Sequence, residues 1–201
     1  ILLMSEPPTV IIISFKYALL RKEFQNKRKR FIRSDLKDIM ITVGGSDINR
    51  ITESLVFNIL KTKQDVTLHV VVGPAFPPHI LENIISPNIQ IYYNPSMSKL
   101  MESCDLAISA CGSTVYELAA CGTPTIGIIV ADNQIMTSKK LEQLGIIKAS
   151  NIENISESMK EMTYEKRLEM SGKGQKLVDG LGAKRLASEI INLIHESMAG
   201  A

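Results

Sequence analysis

Cysteine is scarce in this chain. Cys104, Cys111 and Cys121 are the only three in 201 residues, an odd count without metal-ligand spacing. The count argues against a disulfide framework and for reduced thiols, and so for a cytoplasmic protein. An excess of charge is also missing. The formal net charge is +2, which neither favours nor disfavours an anionic partner. Long apolar runs are missing too: nothing approaches the ~20 residues of a membrane span, and the run at 10–14 stops after five. No secretory leader is legible, because Ile1-Leu2-Leu3-Met4 lacks a basic start and runs into Glu6-Pro7-Pro8. Two well-known phosphate loops are absent. There is no G-x-x-x-x-G-K-[ST], and the adjacent Gly44 and Gly45 do not make G-x-G-x-x-G. No internal repeat and no low-complexity tract occurs.

What is present is ordinary in bulk. With 45% hydrophobic and 22% charged residues, the chain suits one well-packed domain or two small ones. It begins with Ile rather than Met, which leads us to expect further sequence upstream. Residues 1–35 read as a linker or the remnant of a preceding lobe, and 36–201 as the domain proper. Within the first part, 10–14 reads as a short strand. Lys27, Arg28, Lys29, Arg30 and Arg33 form a basic stretch with only Phe31 beside it. A nucleic-acid patch would pair such charge with base-reading aromatic groups. A solvated linker or interdomain surface is therefore expected, with no nucleic-acid partner.

From Asp38 onward, apolar strands and helical patterns alternate. Strands are expected at 39–43, 66–72, 89–93, 106–109, 125–130 and 146–148. Helices are expected at 48–61, 77–85, 96–103, after the 110–114 turn, and at 134–144, where Gly145 supplies a C-terminal cap. The remainder reads as helical, broken near 172–174 and again at 180–182. Alternating strands and helices mean βαβ units. Near-continuous apolar strands such as VTLHVVV and DLAIS suit a parallel sheet buried on both faces. Right-handed crossovers then give an α/β, Rossmann-like, doubly wound parallel sheet of about six strands.

Three turns follow strand ends and carry polar chemistry. Gly44-Gly45-Ser46-Asp47 lets a backbone approach a ligand, and Ser46 or Asp47 can N-cap the next helix. The free amides and positive dipole end of that helix would face a phosphate or sugar. The same residues equally describe a tight, well-capped turn. Gly112-Ser113-Thr114 repeats the arrangement, and Glu117 lies one helical turn further on the same face. A carboxylate there can accept from both ribose hydroxyls. Thr114-x-x-Glu117 also fits a capping box, and the sequence leaves both open. Asp132-Asn133-Gln134 offers donors and acceptors suited to a sugar, or an Asx turn with a cap. Three such turns at one sheet edge point to a ligand, because open α/β sheets bind there.

The run ITVGGSD, then NPSMSKLMESCDLAISACGSTVYELAACGTPTIGI, then ADNQ, resembles the C-terminal nucleotide-binding lobe of GT-B-type nucleotide-sugar enzymes. The nearest likeness is the UDP-sugar hydrolase family of pseudaminic acid biosynthesis, with its spore-coat polysaccharide relatives. The peptidoglycan N-acetylglucosaminyltransferase is a more distant cousin. YALLRKEF at 17–24 and VDGLGAKR at 178–185 resemble segments of the same group. The resemblance implies one lobe of a GT-B architecture that binds a UDP-sugar. It assigns Gly44, Gly45 and Ser46 to the floor near diphosphate and sugar. Gly112, Ser113 and Thr114 would meet the diphosphate, Glu117 the ribose, and Asn133 with Gln134 the sugar. Backbone groups from Tyr93 to Met97 would hold uracil, with Gly73 close by.

The group's catalytic histidine belongs to an N-terminal lobe that this sequence does not contain. His69 reads as packed mid-strand, His79 as a loop residue and His195 as part of the last helix, so no catalytic residue transfers. No metal ligand and no cofactor is expected. The implied parent is a hydrolase that releases UDP from an amino-deoxy sugar for surface polysaccharide or nonulosonic acid synthesis. The alternatives are a polysaccharide glycosyltransferase and a non-catalytic nucleotide-sugar-binding subunit. The partners implied are the UDP-sugar and the missing lobe or a separate subunit.

Overall fold

In the computed structural model of the chain, which describes residues 15–82, 84 and 86–199, six strands form one parallel sheet. They are β1 (Asp38–Thr42), β2 (Thr67–Val72), β3 (Ile89–Tyr93), β4 (Leu106–Ala110), β5 (Thr125–Ile128) and β6 (Lys148–Ser150). The order β3-β2-β1-β4-β5-β6 is that of the dinucleotide-binding fold, with the chain reversing direction between β1 and β4. β4, LAISA, is buried at every position, as an apolar strand covered on both faces must be. The strand expected at 10–14 lies outside the described residues.

Seven helices are described: α1 (Ile51–Thr62), α2 (Met97–Ser103), α3 (Thr114–Cys121), α4 (Ile135–Gln143), α5 (Ile155–Lys160), α6 (Tyr164–Leu177) and α7 (Gly182–Ala199). Ile39, Ile41, Leu55, Ile59, Leu68 and Ile108 build the core on one face, and Met40, Met101, Ala107 and Leu118 build it on the other. The three cysteines are free and buried. Burial pushes their thiols up to about 12 for Cys104, about 11 for Cys111 and about 12 for Cys121, so none is an activated nucleophile.

Several expectations need correction. The helix expected at 77–85 is not formed over 77–82: turns run through 78–82, with His79 and Leu81 at φ 61° and 68°, which a right-handed helix cannot accommodate. Gly172 and Gly174 do not break α6. A Cβ at Gly174 would lie 3.1 Å from the Ala119 carbonyl, so this glycine lets α6 approach α3. Helix α1 starts at Ile51 rather than 48, because Arg50 takes a left-handed conformation. Strand β6 begins two residues late, because Ile146 and Ile147 pack with Val115 and Leu141 instead of joining the sheet.

The basic stretch is only partly in solvent: Arg28, Lys29 and Arg33 are exposed, Lys27 and Arg30 half-buried. Residues 15–37 cross the domain as a strap, with Phe24 and Ile32 buried. Arg30 donates to the Met101 carbonyl at 2.9 Å, the Thr123 hydroxyl at 3.2 Å and the Cys104 carbonyl, closing the C-terminal end of α2. Arg33 pairs with Asp105 at 2.5 Å and Asp38 at 2.7 Å. The buried Arg167 donates to the carbonyls of Arg33 and Ser34. These arginines are spent on carbonyls and carboxylates of their own chain.

The 178–185 motif clasps the strap from the other side. Asp179 pairs with Arg185 and accepts from the Leu181 amide at 2.9 Å, and Arg185 also donates to the Lys16 carbonyl at 2.8 Å. The Arg185 hydrogen bond holds the Asp179 carboxyl down at about 2. Gly180 has φ 77°, and a Cβ there would strike the Phe24 carbonyl. Gly180→Ala is expected to cost about 2–4 kcal/mol through strain and overpacking. Denaturant midpoints check this, and a change below about 0.5 kcal/mol would contradict the clasp.

Candidate functional site

The loops after β1, β2, β3 and β4 meet at the C-terminal edge of the sheet, around the point where strand order reverses. They enclose a cleft of about 820 Å³. Its floor is Thr42, Gly44, Gly45, Val71, Val72 and Gly73; one side is Phe76 to Glu82; the other is Ile91, Tyr93, Asn94, Pro95 and Met97. Thr114, Glu117 and Arg21 complete it. Seven residues singled out in the sequence therefore share one cavity: Gly44, Gly45, Gly73, Tyr93, Met97, Thr114 and Glu117.

The two glycine turns are built differently. Gly73 is glycine for a packing reason, since a Cβ would lie 2.5 and 2.6 Å from the carbonyls of Gly44 and Gly45. The β1 and β2 loops are zipped there, with the Ala75 amide donating to the Gly45 carbonyl at 2.9 Å and Ser46 bridging to Ala75. A Cβ at Gly45 or Gly112 would meet nothing within 4 Å, and neither has a positive φ. Packing does not demand glycine at these two positions; what it leaves is open space over the backbone.

The helix starts that follow β1 and β4 at this edge differ. The buried Asp47 carboxylate accepts from the Ile51 and Thr52 amides at 2.7 and 2.9 Å. The start of α1 is thus closed by the protein's own anion, the well-capped turn that the sequence left open as one of two readings of 44–47. Helix α3 is different. Its preceding residue, Ser113, makes no side-chain cap. Gly112 and Ser113 are exposed beside the cleft. The Val115 and Tyr116 amides turn back to the Gly112 and Ser113 carbonyls at 3.3 and 3.0 Å, which leaves the Ser113 and Thr114 amides at the positive end of α3 for a ligand.

Glu117 does not close a capping box. Its carboxylate accepts from Arg21, at 3.3 Å from Nε and 3.2 Å from Nη2. Its side chain is 16% exposed. Burial raises its carboxyl above the ordinary value, with Arg21 pulling the other way. The site therefore holds a desolvated carboxylate one turn above an uncapped helix start. Arg21 is further held by Glu23 at 3.0 Å and lies over the Phe24 ring at 5.0 Å. Sequence reasoning missed Arg21 as a site residue. Its only signal was its place in YALLRKEF, since the pair joins residues 96 apart.

Some singled-out residues lie elsewhere. Ser46 lines a smaller recess of about 190 Å³ with Asp47, Ile48 and Val130. Asn133 and Gln134 sit on a 3-10 turn after β5 (Asp132–Gln134), outside the cleft. Gln134 Oε1 accepts from the Val130 amide at 3.0 Å, leaving its amide NH2 for other partners. His69 is packed mid-strand between Asp38 and Tyr92 at 2.9 Å each. His79 stands in the cleft wall with Nδ1 2.6 Å from Glu82, and His195 is exposed on α7. Among the described residues no cluster of three or more His, Cys, Asp or Glu could hold a metal ion. None of the described helices is long and apolar enough to cross a membrane.

Comparison with known proteins gives a consistent picture. The sequence model of the glycosyltransferase family 28 C-terminal domain matches residues 39–186. The chain is 36% identical over 141 residues to the pseudaminic acid cytidylyltransferase and UDP-2,4-diacetamido-2,4,6-trideoxy-beta-L-altropyranose hydrolase of Helicobacter pylori, covering 68% of this chain and 25% of that protein. It is 26% identical over 201 residues to the spore coat polysaccharide biosynthesis protein SpsG of Bacillus subtilis, covering 90% of this chain and 58% of that protein. The chain thus spans only part of these relatives. Among solved structures, the calicheamicin glycosyltransferase CalG4 superposes with a TM-score of 0.64 at 15% identity, over 84% of this chain and 45% of that one. That likeness shows the fold, a Rossmann-like lobe of GT-B type.

Proposed function

The chain belongs to the glycosyltransferase family 28 C-terminal domain family, and from that premise we propose that its cleft binds the UDP part of a nucleotide sugar. The observation that carries the reading is the pairing of an uncapped α3 start with a desolvated Glu117 not spent on capping. Amides and hydroxyls of Ser113 and Thr114 hold the diphosphate, joined by Arg21. Glu117 takes the ribose hydroxyls. Backbone groups of Tyr93 to Met97 take uracil, with Gly73 beneath. Gly44, Gly45 and Ser46 border the diphosphate and sugar, and Asn133 and Gln134 reach the sugar from the β5 side.

The parent protein, on this reading, is a hydrolase that releases UDP from an amino-deoxy sugar for surface polysaccharide or nonulosonic acid synthesis. The 36% identity to a relative whose name includes a UDP-sugar hydrolase supports it. A transferase parent is the second reading, favoured by the family's own name. In either case this lobe stabilises charge on the departing nucleotide, and the base that activates water or an acceptor comes from outside it. His69 is bound on both nitrogens away from the cleft.

UDP is expected to bind the isolated chain with a Kd on the order of 0.1–1 mM, ADP more weakly, and no UDP-sugar turnover is expected. Calorimetry with UDP, CMP and ADP checks the first part, and a coupled assay of UDP release checks the second. A preference for ADP would sink the uridine assignment. Turnover lost on replacing His79 would place the catalytic group inside this lobe.

A further inference from the structure

One wall of the cleft is made of backbone that L-residues rarely adopt. His79 and Leu81 both lie in the left-handed region, at φ 61° and 68°. For a bulky residue such as leucine this is an outlier. It persists only where the surroundings over-determine it. Here those surroundings come from the first turn of α1. The Glu53 carboxylate accepts from the Leu81 amide at 3.1 Å. It also accepts from Arg50, at 2.7 Å from Nε and 3.2 Å from Nη2. Arg50 in turn donates to the His79 carbonyl at 3.3 Å and is itself left-handed, at φ 51°. Burial works against the charge on Glu53, but the Arg50 hydrogen bond and the Leu81 amide outweigh it and hold the carboxyl below its ordinary value. Pro77 and Pro78 stiffen the approach to this segment.

The clamped wall presents Ile80 and Leu81 toward the cavity, across from Ile91, Tyr93, Pro95 and Met97. A slot with apolar sides suits a flat heterocycle. Its width depends on how far the 79–82 segment stands from α1, and Arg50 and Glu53 set that distance. We infer that Arg50 and Glu53 are positioning residues that fix the base end of the cleft, and so decide between a one-ring and a two-ring base without touching the ligand. The inference rests on the nucleoside diphosphate reading of the same cleft.

The test uses Glu53→Ala, Arg50→Ala and Glu53→Gln in the full chain. Calorimetry with UDP, ADP and inorganic pyrophosphate is run beside thermal melting. Loss of one charge-assisted clamp is expected to lower UDP affinity about fivefold to tenfold. Pyrophosphate affinity should stay within about twofold, so the UDP-to-ADP preference narrows by about the same fivefold to tenfold. Glu53→Gln keeps an oxygen for both donors and should fall between wild type and Glu53→Ala. A merely structural role would lower melting and weaken all three ligands together. Arg50→Ala removes a half-exposed guanidinium and keeps the test informative where Glu53→Ala does not fold. An unchanged UDP-to-ADP ratio in folded variants overturns the positioning role alone. Absence of UDP binding by the wild-type chain overturns the cleft reading and this inference with it.

Discussion

Glu117→Ala is expected to weaken UDP binding by about 10- to 150-fold, the 1.5–3 kcal/mol of hydrogen bonds to a charged group. Melting should change little. The carboxylate makes no cap hydrogen bond at the start of α3, and its partner Arg21 is 56% exposed, so losing it strands no buried charge. A stability change within about 0.5 kcal/mol is therefore expected. Lowered melting with unchanged affinity would refute the ribose role. The carboxyl also gives the binding a pH signature. Burial raises it above the ordinary 4.5, so the protonated form is favoured in the fold. Its stabilising contribution is present below the unfolded-state value and is lost as pH rises through the folded one. Affinity runs the other way: ribose hydroxyls donate to the ionised group, so UDP binding strengthens as pH rises through the folded value. Glu117→Gln should flatten that dependence.

The second large effect is structural and sits at the opposite end of the same strands. Asp105 is 3% exposed. It accepts from the Lys37 and Asp38 amides at 2.9 Å each and from Arg33 at 2.5 Å. It thereby ties the strap and the start of β1 to the start of β4, the two strands whose far ends carry the cleft. Asp105→Ala is expected to cost about 3 kcal/mol or more, since two partly buried amides lose their acceptor. Arg33 is 46% exposed, so water recovers part of its loss. Asp105→Asn, which keeps one acceptor oxygen, should cost about half as much. Denaturant unfolding of both variants checks this, and equal stability would show that the lower tie contributes nothing. That domain stabilities total only about 5–15 kcal/mol makes Asp105→Ala a candidate for lost expression as well.

The sheet was legible in the sequence because its strands are short apolar runs bounded by turn residues, a signal that survives without tertiary information. The expected turns also lie at the correct edge, for parallel strands linked by helices bring all their C-terminal ends together. The sequence misled where a non-local contact overrode a local rule. Gly174 is read as a helix breaker, yet it marks a close helix crossing against Ala119. Asp47 fits an adjacent cap, yet it reaches Ile51 and Thr52 across a left-handed Arg50. The basic stretch reads as solvated, yet Arg30 meets the carbonyls of Met101 and Cys104, which nothing nearby in sequence predicts. Within the site, Glu117 and its turn were visible because they lie in one segment. Arg21 was not, because it enters the cleft through a strap held by a clasp far away in the chain. The helix expected at 77–85 does not form over 77–82 because the left-handed His79 and Leu81 carry no composition signal when neither is glycine.

The most direct test of the central claim is to titrate UDP into the isotope-labelled chain and follow its backbone amides by NMR. Binding in the cleft predicts saturable shifts at Gly112 to Glu117, at Gly45 and Gly73, and at Tyr93, Asn94 and Met97, while Lys148, Lys166 and Lys173 on the far side stay still. Saturable shifts confined to those lysines, or none at any of the cleft residues up to about 10 mM UDP, a Kd weaker than any specific site would show, would contradict it.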